Sequence, residues 1–211
     1  MRAQSNVISI VIIAGMVIAF VGAAYVWAVP LIEKRATATD YDIVERFMVD
    51  LDEEIVKIAN TGSGVSTIDI PRGVLTLHPR GFSGPVNNTL TLDFYVSQPI
   101  IMEGGSVPVR TGVIDDIGEY GKGEPRILML NRYLGADTVH LNMTMFYREM
   151  RSDVPKGYVI ALCPVSDFSS CRSVMYGSSS VKLSYGETVV VPRASEDGGD
   201  LTITKVRVEI L

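Results

Sequence analysis

Hydrophobic and polar positions along the chain fall into three successive regimes. From Val7 to Val29 (VISIVIIAGMVIAFVGAAYVWAV) all 23 residues are uncharged and mostly apolar. A helix needs about 20 such residues to cross a bilayer. A helix in a soluble core usually keeps a polar face, and this run has none. Tyr25 and Trp27 stand near its far end, where aromatic rings favour the membrane–water interface, and Pro30, Glu33, Lys34 and Arg35 close it. Over residues 36–60 the period becomes helical. Ile43, Val44, Phe47, Met48, Leu51, Ile55 and Ile58 recur at the spacing of an amphipathic helix, with Asp42, Glu45, Asp50, Asp52, Glu53 and Glu54 on the other faces. Asn60-Thr61-Gly62 supplies a stop, because Asn and Gly tolerate the left-handed C-cap conformation. Pro30 predicts a kink between the two parts. If the helix resumes after it, the unit from Gln4 to Asn60 is a rod on the order of 80 Å long. Residues 40–60 either lie against their own domain or pack on the stalks of neighbouring copies, and both can hold along different lengths.

From Val65 the period changes to two. TIDI, VLTLH, LTLDFYV, RILML, VHLNMTMFY, YVIALC, RSVMY, VKLSY, TVVVP and LTITKVRVEI read as strands, punctuated by Gly, Pro, Asn and Asp, as at Pro71-Arg72-Gly73 and Gly84-Pro85. In Val139–Tyr147 one face is Val139, Leu141, Met143, Met145 and Tyr147; the other carries His140, Asn142, Thr144 and Phe146. That alternation fits an antiparallel strand buried on one face, with His140 on the wetter side. The predicted architecture is α+β: a long N-terminal helix over residues 4–61, then an all-β, sandwich-like head over residues 62–211.

Composition narrows the function. With 47% hydrophobic residues in 211, the chain is not a disordered one, and its length suits one domain plus an appendage. The net charge of -5 argues against a nucleic-acid binder, which needs a basic face for phosphates. Two cysteines are too few for an all-cysteine zinc site, and two histidines leave little for histidine chemistry. GxSxG, HExxH and Walker A motifs are lacking, so no catalytic set, cofactor or metal is expected. His78 and His140 are expected to be ordinary polar residues. Glu196, Asp197 and Asp200 gather around two glycines, and Asp115, Asp116 and Glu119 lie close together in sequence. Both groups lack the alternating spacing of a dedicated calcium loop and are expected to be solvated turns.

Two places invite covalent chemistry. Cys163 and Cys171 end two predicted strands, so a hairpin would bring them together as a disulfide outside the cell; two reduced core cysteines are the alternative. Asn87-Asn88-Thr89 and Asn142-Met143-Thr144 match the N-glycosylation sequon, with Asn87 in a loop and Asn142 within a strand. The apolar run itself has two readings. Val21-Gly22-Ala23-Ala24 could end a secretory signal, but the run continues past it to Val29. If the run is retained, the short N-terminal tail stays inside and the head lies outside.

Arg2-Ala3 followed by Gln4-Ser5, directly before the apolar run, resembles the start of the type IV pilin-like proteins of archaea. In that family a prepilin peptidase cuts after a basic residue plus a small one. Carried onto this chain, the cut falls between Ala3 and Gln4, and residues 1–3 are the leader of a class III signal peptide. Bacterial pilins usually carry Glu at the fifth mature position, where this chain has Ile8; archaeal members often lack that Glu. The resemblance covers residues 1–60 by pattern and the head by architecture only. It implies a structural, non-enzymatic subunit of a surface filament, assembled through its hydrophobic helix, with a possible part in adhesion. It also implies partners: other copies of the chain in a helical filament, the prepilin peptidase, an assembly ATPase with its platform membrane protein, and membrane lipid before assembly. Ala14, Gly15, Ala19, Gly22, Ala23 and Ala24 would permit close helix approach. The alternative is a single-pass, membrane-anchored extracellular sandwich that binds a ligand or cell-wall glycan without polymerising. A secreted head freed of its apolar segment is a third.

Overall fold

In the computed structural model, residues 2–81, 83, 87–99, 101, 102, 104–110, 117–133 and 139–211 are described, with side chains from residue 10 onward. The apolar and amphipathic stretches join into one helix, α1 (Arg2–Thr61), which is helical through Pro30. Proline has no N–H, so the carbonyl of Val26 lacks its intrahelical donor. The helix ends where its composition demands. Gly62 takes φ +64° and donates its N–H to the Ile58 carbonyl at 3.2 Å, while the Thr61 hydroxyl donates to the Lys57 carbonyl at 2.8 Å.

Two six-stranded sheets follow. The first orders β1 (Val65–Asp69), β11 (Ser180–Val191), β12 (Asp200–Ile210), β9 (Lys156–Pro164), β8 (Glu149–Arg151) and β5 (Ile117–Glu119). The second orders β10 (Met175–Gly177), β2 (Val74–His78), β3 (Thr89–Val96), β7 (Val139–Tyr147), β6 (Arg126–Tyr133) and β4 (Ser106–Pro108). Pairing is antiparallel except for β12 with β9 and β5 with β8. The α+β arrangement is therefore the predicted one. The predicted VKLSY and TVVVP segments merge into β11 across a register shift between Tyr185 and Glu187. Gly186 sits at that shift because a Cβ there would lie 2.5 Å from the Phe168 ring.

One core joins all three elements. Leu75, Leu92, Phe94 and Met143 come from the second sheet, Leu162, Val181 and Val206 from the first, and Val44, Phe47, Met48, Leu51, Ile55 and Ile58 from α1. The second half of the helix is thus a wall of the head and packs mainly on β11 and β12, as its period required. Asn88 fastens the sheets to each other. Its side-chain amide donates to the carbonyls of Tyr147 (3.0 Å) and Ile160 (2.7 Å) and accepts from the Leu162 N–H (2.9 Å). Its φ of 54° is one that Asn adopts more readily than most residues.

Candidate functional site: the exposed helix and its attachment

Every side chain from Ile10 to Trp27 is exposed, with Phe20 at 75% and Trp27 at 73%. Eighteen residues of helix rise about 27 Å, close to the roughly 30 Å of a bilayer's hydrocarbon. So continuous an apolar cylinder far exceeds the patches a soluble monomer presents to water. By length and composition α1 can cross a membrane, and a signal sequence near the N-terminus meets the same criteria. Gly15, Ala19 and Gly22 recur at i, i+4 and i+7, and no atom lies within 4 Å of where a Cβ would stand on either glycine. The backbone of Arg2, Ala3, Gln4 and Ser5 forms the first turns of α1; their side chains lie outside the described residues.

Below this cylinder, acidic and polar positions fasten α1 to the head. Gln98 Nε2 donates to Glu33 at 2.8 Å, and the Gln98 N–H donates to the Thr37 hydroxyl at 3.2 Å. Asp40 pairs with Arg72, and Glu45 pairs with Arg110 at 2.5 Å. Deeper in, Asp52 pairs with Arg126 and accepts the Tyr147 hydroxyl at 2.7 Å. Asp52 is only 7% exposed, which corrects its expected place on a polar face. Its position could have shown this: it lies four residues after Met48 and three before Ile55, on the buried stripe. Burial pushes its carboxyl above the ordinary 3.8, while the bonds from Tyr147 and Arg126 pull it down. Burial also holds the Tyr147 hydroxyl well above 10, with the Asp52 charge adding to the effect. Exposed pairs of the Asp40–Arg72 kind contribute about 0–1 kcal/mol. Arg126 also pairs with Glu124 at 3.2 Å, and removing one partner of the buried Asp52–Arg126 pair would leave an uncompensated charge inside the head.

Cys163 and Cys171 are joined in a disulfide, but not across a hairpin. Cys163 is the next-to-last residue of β9 in the first sheet, and the chain then makes a single 3-10 turn at Val165–Asp167 before crossing to β10 in the second. Cys171 lies in that connection with φ 53°, since the expected RSVMY strand shortens to Met175–Gly177. The Asp167 carboxylate accepts from the Ser170 and Ser173 hydroxyls and the Arg172 and Ser173 N–H groups, which hold it well below the usual carboxylate range.

The two sequons fall in different surroundings. Asn87 is exposed, whereas Asn142 is 4% exposed and donates its amide to Asp93 at 2.8 Å. Asp197 pairs with Arg151, and Asp200 accepts the Arg193 N–H at 3.4 Å, so this turn is tied to its own surroundings. Glu119 pairs with Lys122 at 2.7 Å; Asp115 and Asp116 lie outside the described residues. Among the described residues, no three His, Cys, Asp or Glu side chains gather to hold a metal ion. His78 and His140 both lie on the outer face of the second sheet.

The model of the DUF7289 family, described as a family of unknown function, matches residues 2–110, just over half of the chain. That stretch holds α1 and the strands β1 to β4. No curated protein and no solved structure matches the chain at a significant level.

Proposed function

The chain belongs to the DUF7289 family, and we propose that it is a structural subunit of an archaeal type IV pilus-like surface filament, assembled through α1. The observation that carries this reading is the helix itself. Its N-terminal half is an uncovered apolar cylinder, and its C-terminal half is built into the core of a complete β head. Such a chain can reside in lipid and then exchange lipid for the helices of neighbouring copies, because both surroundings are apolar. The small residues at Gly15, Ala19 and Gly22 favour close helix approach. On this reading the prepilin peptidase removes residues 1–3, the head lies outside the membrane, and the assembly ATPase and its platform protein drive extraction. Adhesion is then a property of the filament surface, and the subunit needs no catalytic residue.

The test is the N-terminus of the mature chain from its native envelope, read by terminal sequencing beside electron microscopy of the sheared surface fraction. A start at Gln4, with the chain in sheared filaments, is the expected result. Replacing Arg2 and Ala3 together should leave the leader attached and the filaments absent. A start at Met1 or Arg2, with a discrete particle in detergent, overturns the reading in favour of an anchored binding domain. A start near Ala24 or Tyr25 overturns it in favour of a secreted head.

A further inference from the structure

The outer face of the second sheet is unlike the outer face of the first. On the first, charged residues pair across strands in the usual way of a solvated sheet: Lys182 with Glu209 at 3.9 Å and Lys205 with Glu187 at 2.7 Å. On the second, among the described residues, neither Lys nor Arg lines the open concavity of about 710 Å³ that runs over β2, β3, β7 and β6, and Asp93 is the one acid there. The antiparallel register sorts the remaining side chains into rows. Tyr95, His140 and Tyr133 face one another on β3, β7 and β6. The next row is Asp93, Asn142 and Asn131, and the one after it is Thr91, Thr144 and Met129. Successive rows are about 6.8 Å apart, two residues along a strand.

The aromatic row is ordered and open. Tyr95 stacks on the His140 ring at 4.9 Å with 21° between planes, and Tyr133 lies 5.6 Å from the same ring. Both tyrosines nevertheless expose more than half their surface, 57% and 51%. The polar row beside it is fixed from within. Asn142 donates to Asp93 Oδ1, the Thr144 hydroxyl donates to Asn142 at 2.5 Å, and His140 Nε2 stands 3.1 Å from Asp93 Oδ1. The Asn131 amide makes no side-chain hydrogen bond among the described residues and stays available.

From this arrangement we infer that the outer face of the second sheet is a binding platform for a neutral oligosaccharide. A pyranose ring presents C–H groups on its faces and hydroxyls around its edge. The first match exposed aromatic faces; the second match the Asp93 carboxylate, which accepts, and the Asn131 amide, which can donate and accept. Among the described residues no Lys or Arg lines the concavity beside Asp93, so its carboxylate disfavours uronates, phosphates and nucleic acid. The platform lies on the opposite side of the sheet from the core that holds α1, so it serves the chain whether or not the chain polymerises.

The experiment uses the full chain in lauryldimethylamine oxide, a detergent without a sugar headgroup. It is titrated calorimetrically with cellohexaose, laminarihexaose and mannohexaose, and with hexagalacturonate as the anionic counterpart. Saturable binding of at least one neutral hexasaccharide is expected, weakened tenfold or more by Tyr95→Ala with Tyr133→Ala and several-fold by Asn131→Ala. The same binding should be unchanged in Lys182→Ala on the other sheet. Thermal unfolding checks that each variant is folded, and Asn131→Ala serves if the double tyrosine variant is not. The proposal is overturned if no neutral hexasaccharide binds saturably, if both sets of variants bind as the parent does, or if hexagalacturonate binds more tightly than all three.

Discussion

Asn88 holds together two sheets whose partner strands lie far along the chain. Its side chain reaches Tyr147 and the Ile160–Leu162 stretch, 59 to 74 residues away in sequence. Removing the amide leaves two buried carbonyls and one buried N–H unpaired, each costing about 1–3 kcal/mol. Asn88→Ala is therefore expected to lower the unfolding free energy by roughly 3 kcal/mol or more in a denaturant titration of the full chain. A change below about 1 kcal/mol would mean that water replaces the lost bonds. The sequence showed this residue only as the middle of a sequon. A local pattern singles out Asn87, whereas the role of Asn88 depends on strands that only the folded topology brings near. Asp93, Asn131 and Tyr133 were hidden in the same way: a period of two puts them on an outer face, but the rows exist only once the register is known.

Among the elements, α1 was the most legible, because periodicity alone separates its two halves. Apolar residues on every face mark Ile10–Trp27, and a stripe marks Val44–Ile58. The long strands were legible for the same reason. β4, β5 and β8, with three residues each, carry too few alternations to be recognised, and nothing local signals that β12 pairs in parallel with β9. Which head residues grip the helix was equally hidden, since Arg72, Arg110 and Arg126 are ordinary loop or strand cations until the fold presents them to α1. The Asp52–Arg126 pair permits a decisive cycle. Arg126→Met alone strands a buried carboxylate and should cost about 3–5 kcal/mol, and Asp52→Leu alone should cost a similar amount. The double variant should recover most of that loss, because an apolar pair of similar volume avoids burying either charge. Unfolding midpoints of the four chains measure the coupling, and additive losses would show that the pair does not act as a unit.

For the whole molecule, the division of labour is between a head that buries its own core and a cylinder that buries nothing. A charge at the middle of the cylinder should act on location and leave folding alone. Ile18→Asp is expected to cost roughly 3 kcal/mol in membrane insertion while the head unfolds at the parent's denaturant midpoint. Fractionation of membranes and sheared surface material checks it; unchanged partitioning would show that Ile10–Trp27 does not reside in lipid.

One feature of α1 bears on how any assembly would be geared. No loop separates the apolar half from the half held by Asp40, Glu45 and Asp52, so torque applied at one end arrives at the other. Each residue of helix turns the chain by about 100° and advances it by 1.5 Å. The azimuth at which the tyrosine-bearing face looks outward is therefore decided by the number of residues between Trp27 and Asp40. A one-residue insertion there would leave the apolar surface and the head intact, yet swing that face through more than a quarter turn.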